Sequence, residues 1–327
     1  MDGNQAYEER YKNKINNILI SNKDKDYLKG FYYYISNLSC STAYDYINYA
    51  LSFINYTKKD IEKITLDDYT EYLSKLKTMT TSYQISVYSG LKKFATYLMA
   101  SKRTSDNPMS YIPRPKFKEG ISTVEKREKG YLDKREIKKY IETSKRGVGS
   151  SRAVARQKEW RERDLSIIMI FLNTGIRCSA LYKLNLDSID FNNQTLITID
   201  KGDKIQEYTL SEEVLEHIED WMKKRKEILG DRKEEALFIS NQKCRMEQTS
   251  IYRVVNKYAK GINGKHITPH KLRATYGTQL YNQTKDLFFV QQCMGHNNPK
   301  TTEKYIRGEK DNNRKNAASI MSQIIFK

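Results

Sequence analysis

Residues 163–175 read RDLSIIMIFLNTG. A run this apolar leaves no face for water, so it reads as a helix buried all round. Gly175 stands where such a helix stops, because glycine accepts the left-handed backbone of a C-cap. Arg177 follows at once and opens a new helix. Upstream, YLDKREIKKYIET (131–143) is a helix opened by Asp133, a good N-cap. Downstream, TLITIDKGDKIQEYTL (195–210) is two β-type runs around Lys201-Gly202-Asp203-Lys204, a hairpin with glycine in its turn. SEEVLEHIEDWMKKRKEIL (211–229) returns to amphipathic helix, and helices continue to the end of the chain.

The N-terminal half is a separate helical block. STAYDYINYALSFINYT places Tyr46, Tyr49, Ala50 and Phe53 at three- and four-residue spacing. Thr65 caps a helix with acidic residues in its first turn. Four or five helices are expected between residues 22 and 104, after a polar segment that is a short helix or tail. Between the blocks lies SDNPMSYIPRPKFKEGISTVEKREKG, which holds three of the five prolines. Proline stops helices and stiffens linkers. The expected organisation is a tail at 1–21, a helical domain at 22–112, a linker at 113–129, a second domain at 130–308 and a tail helix at 309–327. From Lys116 to Asp164 there are 16 basic and 9 acidic residues, a stretch suited either to phosphate contact or to plain solvation.

The bulk numbers narrow the function. Net charge is +18 over 327 residues, a surplus that points to a polyanionic partner, most often nucleic acid. No stretch of about 18 apolar residues offers a membrane span, and the N-terminus has no apolar core of a secretory signal. Cys40, Cys178, Cys244 and Cys293 show no CxxC spacing, which argues against a zinc site and for reduced thiols in the cytoplasm.

Polar residues gather in a few stretches of the second block. Arg177 follows NTGI. Lys201 sits at the hairpin tip, with Lys204 beside it. In TPHKLRAT (268–275), His270 and Arg273 share a helical face because they are three residues apart. MGHNNPKTTEKYI supplies His296 and, nine residues on, Tyr305, with Asn298-Pro299 as a helix start. Singly each has a bland reading, as a surface arginine, a turn lysine, a capping histidine or one of 25 tyrosines. Together they fit one chemical problem. A phosphodiester attacked by an oxygen nucleophile gathers negative charge on its non-bridging oxygens, which two arginines can bind with their forked donors. A histidine adds a hydrogen bond or moves a proton. A lysine on a hairpin can protonate the leaving oxygen. Attack by tyrosine would leave a covalent phosphotyrosine that keeps the bond energy for resealing.

TGIRCSAL, DKGDK, PHKLRAT and MGHNNPKTTEKYI together resemble the signature boxes of the tyrosine recombinases, the phage integrase family. The resemblance covers about residues 130–308 at motif level, and the block at 22–104 is similar, more weakly, to the family's core-binding domain. It implies a mainly α chain, with a SAM-like helical core-binding domain and a mostly helical α+β catalytic domain holding a small antiparallel sheet. It implies that Arg177 and Arg273 clamp the scissile phosphate, and that His270 binds it and assists proton transfer. Lys201 would protonate the leaving oxygen, His296 would hydrogen-bond the phosphate, and Tyr305 would attack to give a 3′-phosphotyrosine. The family needs no metal and no nucleotide cofactor. Implied partners are double-stranded DNA recombination sites, gripped in a C-shaped clamp and synapsed by a homotetramer. An accessory DNA-bending or directionality factor is a further candidate, and no membrane is involved. The implied location is the cytoplasm, at the nucleoid, and no arm-binding domain is expected ahead of the core-binding one. The tail helix would pack either on a neighbouring subunit or back on its own domain.

Two departures from the pattern stand out. Members usually carry an acidic residue three positions after the first arginine, and here that position is Ala180. The family's glycine-lysine-glycine turn matches at Lys201, with Asp200 in place of the first glycine, and Lys204 is the alternative acid. The rival readings are a type IB topoisomerase-like enzyme, a DNA-binding relative that has lost catalysis, and an RNA-binding protein stacking bases on its tyrosines. Helix-periodic placement of those tyrosines reads instead as core.

Overall fold

The computed structural model describes residues 3–116, 130–200, 204–262 and 265–295. Lys201, His296, Tyr305, most of the expected linker and the expected tail helix lie outside the described residues. The chain divides into two units, residues 1–120 and 121–327.

The first unit holds α1 (Gly3–Asn17), α2 (Asn22–Tyr34), α3 (Cys40–Thr57), α4 (Leu66–Lys75) and α5 (Thr81–Ala100). Local caps set the starts. Ser21 Oγ accepts from the Asp24 amide at 3.1 Å, and the Thr80 hydroxyl accepts from the Tyr83 amide at 3.3 Å. Asp68 accepts from both the backbone and the hydroxyl of Thr65. The core falls into two apolar clusters along the α3–α5 contact. One gathers Phe31, Ile47 and Phe94; the other gathers Phe53, Tyr69, Leu91 and Met109.

The segment ahead of residue 22 is not a tail. Tyr11, Ile15 and Ile18 of α1 and its C-terminal flank are buried in the first cluster. Their spacing makes a stripe too narrow to stand out in an otherwise polar sequence, and only the neighbouring helices give it a face to cover. The tyrosines divide as well. Tyr27, Tyr69 and Tyr88 are core, whereas Tyr33 and Tyr111 are exposed.

The second unit opens with α6 (Lys134–Arg146), α7 (Ser151–Lys158) and α8 (Arg161–Thr174). Asp133 and Glu136 form a reciprocal capping box at the start of α6, with amide contacts of 2.8 and 3.0 Å. From residue 134 the basic stretch is therefore largely helical and no longer linker. α8 is the buried helix expected over 163–175, with Ile167, Ile168, Ile170 and Phe171 fully buried. It packs against α6, α10 (Glu212–Leu229), α11 (Gln248–Lys257) and α12 (Pro269–Thr284). The remaining elements are α9 (Cys178–Lys183), α13 (Leu287–Cys293) and a three-stranded antiparallel sheet in the order β1-β2-β3. Its strands are β1 (Ile189–Asp190), β2 (Thr195–Asp200) and β3 (Lys204–Thr209). The register pairs Leu196 with Tyr208, Thr198 with Gln206 and Asp200 with Lys204. Strand alternation turns Leu196, Thr198 and Tyr208 inward and leaves Ile197, Ile199 and Ile205 exposed.

One buried charge network pins α8 from its first turn. Asp164 is fully buried and accepts from Arg163 Nε and Nη2 at 3.0 and 2.9 Å, from Lys257 Nζ at 2.5 Å and from Tyr258 Oη at 2.8 Å. Arg163 also reaches the Ile239 carbonyl at 3.0 Å and lies over the Trp160 ring. No helix among the described residues is long and apolar enough to cross a membrane. Removing one partner from a buried ionic network leaves the others uncompensated, so Asp164→Ala is expected to cost about 3–5 kcal/mol. The urea midpoint of the second unit reports it, and a loss below about 1 kcal/mol would contradict the structural role assigned to the network.

Candidate active site

Gly175 ends α8 in the left-handed conformation, φ +61°, and its amide donates to the Phe171 carbonyl at 3.0 Å. The Thr174 hydroxyl donates to the Ile170 carbonyl at 2.7 Å and accepts from the Ile176 amide at 3.1 Å. These bonds turn the chain sharply, so that Arg177 becomes the N-cap residue of α9. Its side chain is half-buried. The positive φ asks for glycine, and so does the space: a Cβ on Gly175 would sit 2.4 Å from the Tyr276 ring.

His270 and Arg273 lie on the first turn of α12, one helical turn apart. Thr268 caps this helix, accepting from the Lys271 amide at 3.3 Å, and Pro269 takes a first-turn position where no amide donor is needed. His270 is exposed, whereas Arg273 is buried, 5% accessible. Arg273 Nη1 donates to the Gly175 carbonyl and Nη2 to the Met294 carbonyl, each at 2.5 Å. One guanidinium thus fastens the turn before Arg177 to the end of α13, directly before Gly295-His296. α12 itself is held in place at Leu132, whose amide donates to Thr275 Oγ1 and whose carbonyl accepts from Gln279 Nε2, both at 2.9 Å.

The hairpin meets the same point from the other side. Tyr208 of β3 is buried, and both Arg273 and Arg177 are close enough to act on it by charge. Burial pushes its phenol above the ordinary range, and the two arginines pull it back. Two residues earlier, Gln206 abuts Gly295, where a Cβ would lie 2.3 Å from its Oε1 and φ is +59°. Of the sequence-predicted site residues, Arg273 thus reaches the turn that carries Arg177, and His270 stands exposed one helical turn before Arg273 on α12. β2 and β3 bracket the connection that contains Lys201, and α13 leads to His296. Tyr208 and Gln206 were not singled out from the sequence. Their signal was strand alternation, which puts the two on one face of β3.

Other groups nearby are chemically quiet. Burial pushes the Cys178 thiol, next to Arg177, up to about 12, so it stays protonated at neutral pH and offers no competing thiolate. Burial likewise raises Tyr276, and the Cys293 thiol nearby adds to the rise. Ala180 is buried in the core of the second unit, and its carbonyl faces the Thr198 hydroxyl at 3.4 Å. A carboxylate at that position would have to be desolvated.

Residues 131–312 match the phage integrase family, more than half of the chain. A tyrosine recombinase XerC from Caldanaerobacter subterraneus subsp. tengcongensis is 32% identical over 253 residues, spanning 75% of this chain and 65% of that protein. A XerC from Alcanivorax borkumensis is 30% identical over 219 residues, spanning 66% of each. The matches thus cover just under two thirds of these relatives' lengths. Among solved structures, a post-cleavage complex of the site-specific recombinase XerH bound to palindromic difH substrate superposes with a TM-score of 0.70. It is 21% identical and covers 97% of this chain and 89% of its own, a likeness of fold.

Gly175→Ala is expected to destabilise the second unit by more than the about 1–2 kcal/mol of a left-handed non-glycine residue, because of the added contact with Tyr276. Combining it with Tyr276→Ala relieves that contact. The double variant should lose less than the sum of the single losses, by at least about 0.5 kcal/mol in chemical denaturation. Strict additivity would show that the two residues do not press on each other.

Proposed function

The chain belongs to the phage integrase family, and on that footing we propose that it is a site-specific DNA recombinase that cuts and rejoins strands through a 3′-phosphotyrosine. The observation that carries the reading is the placement of Arg273, whose guanidinium gathers the turn before Arg177 and the end of α13. Three stretches far apart in sequence meet at one cationic point, as recognition of a single phosphate requires.

In the proposed reaction the Tyr305 oxygen attacks the scissile phosphorus and the 5′-oxygen leaves. Arg177 and Arg273 stabilise the added charge on the non-bridging oxygens. Arg273 has five N–H donors, so its two carbonyl contacts leave others for a phosphate. His270, exposed one turn before Arg273, receives the tyrosine proton or passes it on. His296 adds a hydrogen bond to the phosphate. Lys201, in the connection between β2 and β3, supplies the proton to the departing oxygen. Resealing reverses these roles on a new 5′-hydroxyl, and because the phosphotyrosine conserves the ester, no nucleotide is consumed. Double-stranded recombination sites are the substrate, a homotetramer on two synapsed sites is the working assembly, and an accessory bending or directionality factor is a candidate partner. The surplus of +18 supports phosphate-backbone binding that weakens steeply with salt.

The test is a covalent-adduct map. The wild-type chain is expected to carry DNA from one or a few loci after denaturation and capture, and Tyr305→Phe none. Adducts scattered without a site would mean topoisomerase-like action instead. Absence of any adduct, also on nicked duplexes built on the sequences bound by the protein, would refute the proposal. On the mapped site, Arg177→Ala and Arg273→Ala should each cut the cleavage rate by about a hundredfold or more. Lys201→Ala should slow cleavage too, and a 5′-bridging phosphorothioate, whose leaving group needs no acid, should restore it. Rescue of Lys204→Ala in its place would move the acid to Lys204.

A further inference from the structure

We propose that Arg245 is a positioning residue for the cleavage step: it fastens the C-terminal end of α9 and, through that helix, fixes the place of Arg177 at the other end. The proposal deepens the recombinase reading above and rests on it.

A helix of one or two turns does not hold its shape alone in water, and its last carbonyls have no partners within it. α9 is such a helix, six residues long and so about 9 Å at 1.5 Å per residue. Arg245 supplies what its end lacks. Nη1 donates to the Tyr182 carbonyl at 2.9 Å and to the Leu184 carbonyl at 3.1 Å, and Nη2 donates to Asn185 Oδ1. The guanidinium also lies over the Tyr182 ring, 5.9 Å from its centroid. The helix dipole favours a cation at this end as well. Three acceptors spread over residues 182–185 need a planar fork, which lysine does not have.

Arg245 has a firm base of its own. It stands in a turn closed by the Ser240 amide on the Cys244 carbonyl at 2.8 Å and the Met246 amide on the Phe238 carbonyl at 2.9 Å. The stretch leading into that turn is tied to the end of α9. The Leu237 amide donates to the Leu184 carbonyl at 2.9 Å, and the Leu186 amide to the Glu235 carbonyl at 3.0 Å. At the other end, the Ala180 and Leu181 amides both donate to the Arg177 carbonyl at 3.0 Å. Arg273 holds the Gly175 carbonyl two residues before Arg177. α9 is thus a strut with a guanidinium at each end. Releasing the Arg245 end lets the strut tilt about Gly175, and Arg177 tilts with it. Arg245 is half-buried and directs its donors to α9, so its effect on a phosphate runs through Arg177.

The test is Arg245→Ala on a nicked duplex carrying the mapped site. Cleavage should slow about 10- to 100-fold, since a misplacement of about 1 Å is enough for such a loss. DNA affinity should stay within about twofold, because ground-state binding is untouched. In an Arg177→Ala background the same substitution should cost less than about threefold, since the donor it places is gone. In a Lys201→Ala background the full factor should remain. Equal losses in all three backgrounds would reduce Arg245 to a general packing role, and a parallel fall in DNA affinity would make it a DNA contact. Either result overturns the proposal. If the alanine variant does not fold, Arg245→Lys takes its place in the same backgrounds, with a loss of about 3- to 10-fold expected because an ammonium lacks the fork. Wild-type cleavage by Arg245→Lys would then overturn the proposal. Amide hydrogen exchange provides an arm that needs no DNA site. In the Arg245 variant the Ala180 and Leu181 amides should exchange about tenfold faster or more, and the α8 amides should change by less than about twofold. Unchanged exchange at Ala180 and Leu181 would count against the proposal. Faster exchange there, in a protein whose wild type forms no DNA adduct, would instead sink the recombinase reading and leave the fastening of α9 by Arg245 standing.

Discussion

The buried guanidinium of Arg273 is the constraint from which the site is built. A charge removed from water is tolerated when its donors are satisfied, and here two backbone carbonyls take up donors of the fork. These contacts leave the charge uncancelled. Lysine could not replace it, because a point ammonium lacks the planar fork that reaches the Gly175 and Met294 carbonyls at once. Carbonyls on separate elements are held at hydrogen-bond distance only while those elements keep their positions. The cation is therefore both a ligand in waiting and a fastening for the turns that carry the other groups.

The fastening works because what it holds is stiff. α8 is pinned near its start by Asp164 and its partners and ends at Gly175, about 16 Å further along the axis at 1.5 Å per residue. Of the apolar side chains between these points, Ile167, Ile168, Ile170 and Phe171 are fully buried. The turn that presents Arg177 is thus the end of a rod fixed in the core. Gly175 is needed twice over, by its positive φ and by the Tyr276 ring pressed against it.

Legibility followed the range of the interactions. α8 and its glycine stop, the capping box before α6, the Thr268-Pro269 start of α12 and the β2–β3 hairpin are set by neighbours in sequence, and each could be read there. α1 could not, since Tyr11, Ile15 and Ile18 gain their meaning only from helices they do not touch in sequence. The same holds for Tyr208. In a chain with 25 tyrosines nothing local sets it apart, and the arginine that acts on it by charge lies 65 residues away, from 208 to 273. α7 was hidden for a further reason: its exposed Arg152, Arg156 and Lys158 look like solvated linker. The family pattern added what periodicity cannot, a joint reading of Arg177, His270 and Arg273, and of these Arg273 fastens the turn just before Arg177.

Tyrosine chemistry then divides by environment. A nucleophilic phenol must lose its proton as it attacks, so burial in an apolar setting works against it. Tyr276, against Gly175 and close to Arg273, is pushed upward by burial, and the Cys293 thiol nearby adds to the rise. Tyr208 feels both arginines, but it has too little exposure to meet a DNA phosphate. Neither suits attack, and both suit holding the site in shape. The proposed nucleophile must come from a segment that can bring its hydroxyl to the phosphate face of Arg177 and Arg273. Tyr305, nine residues beyond the His296 that follows Gly295, has the chain length to do so from the turn that Arg273 and Gln206 hold in place. In the proposed reaction the tyrosines packed in the core would be distinct from the one that attacks, so the arginine pair could stay rigid while the covalent bond forms and breaks.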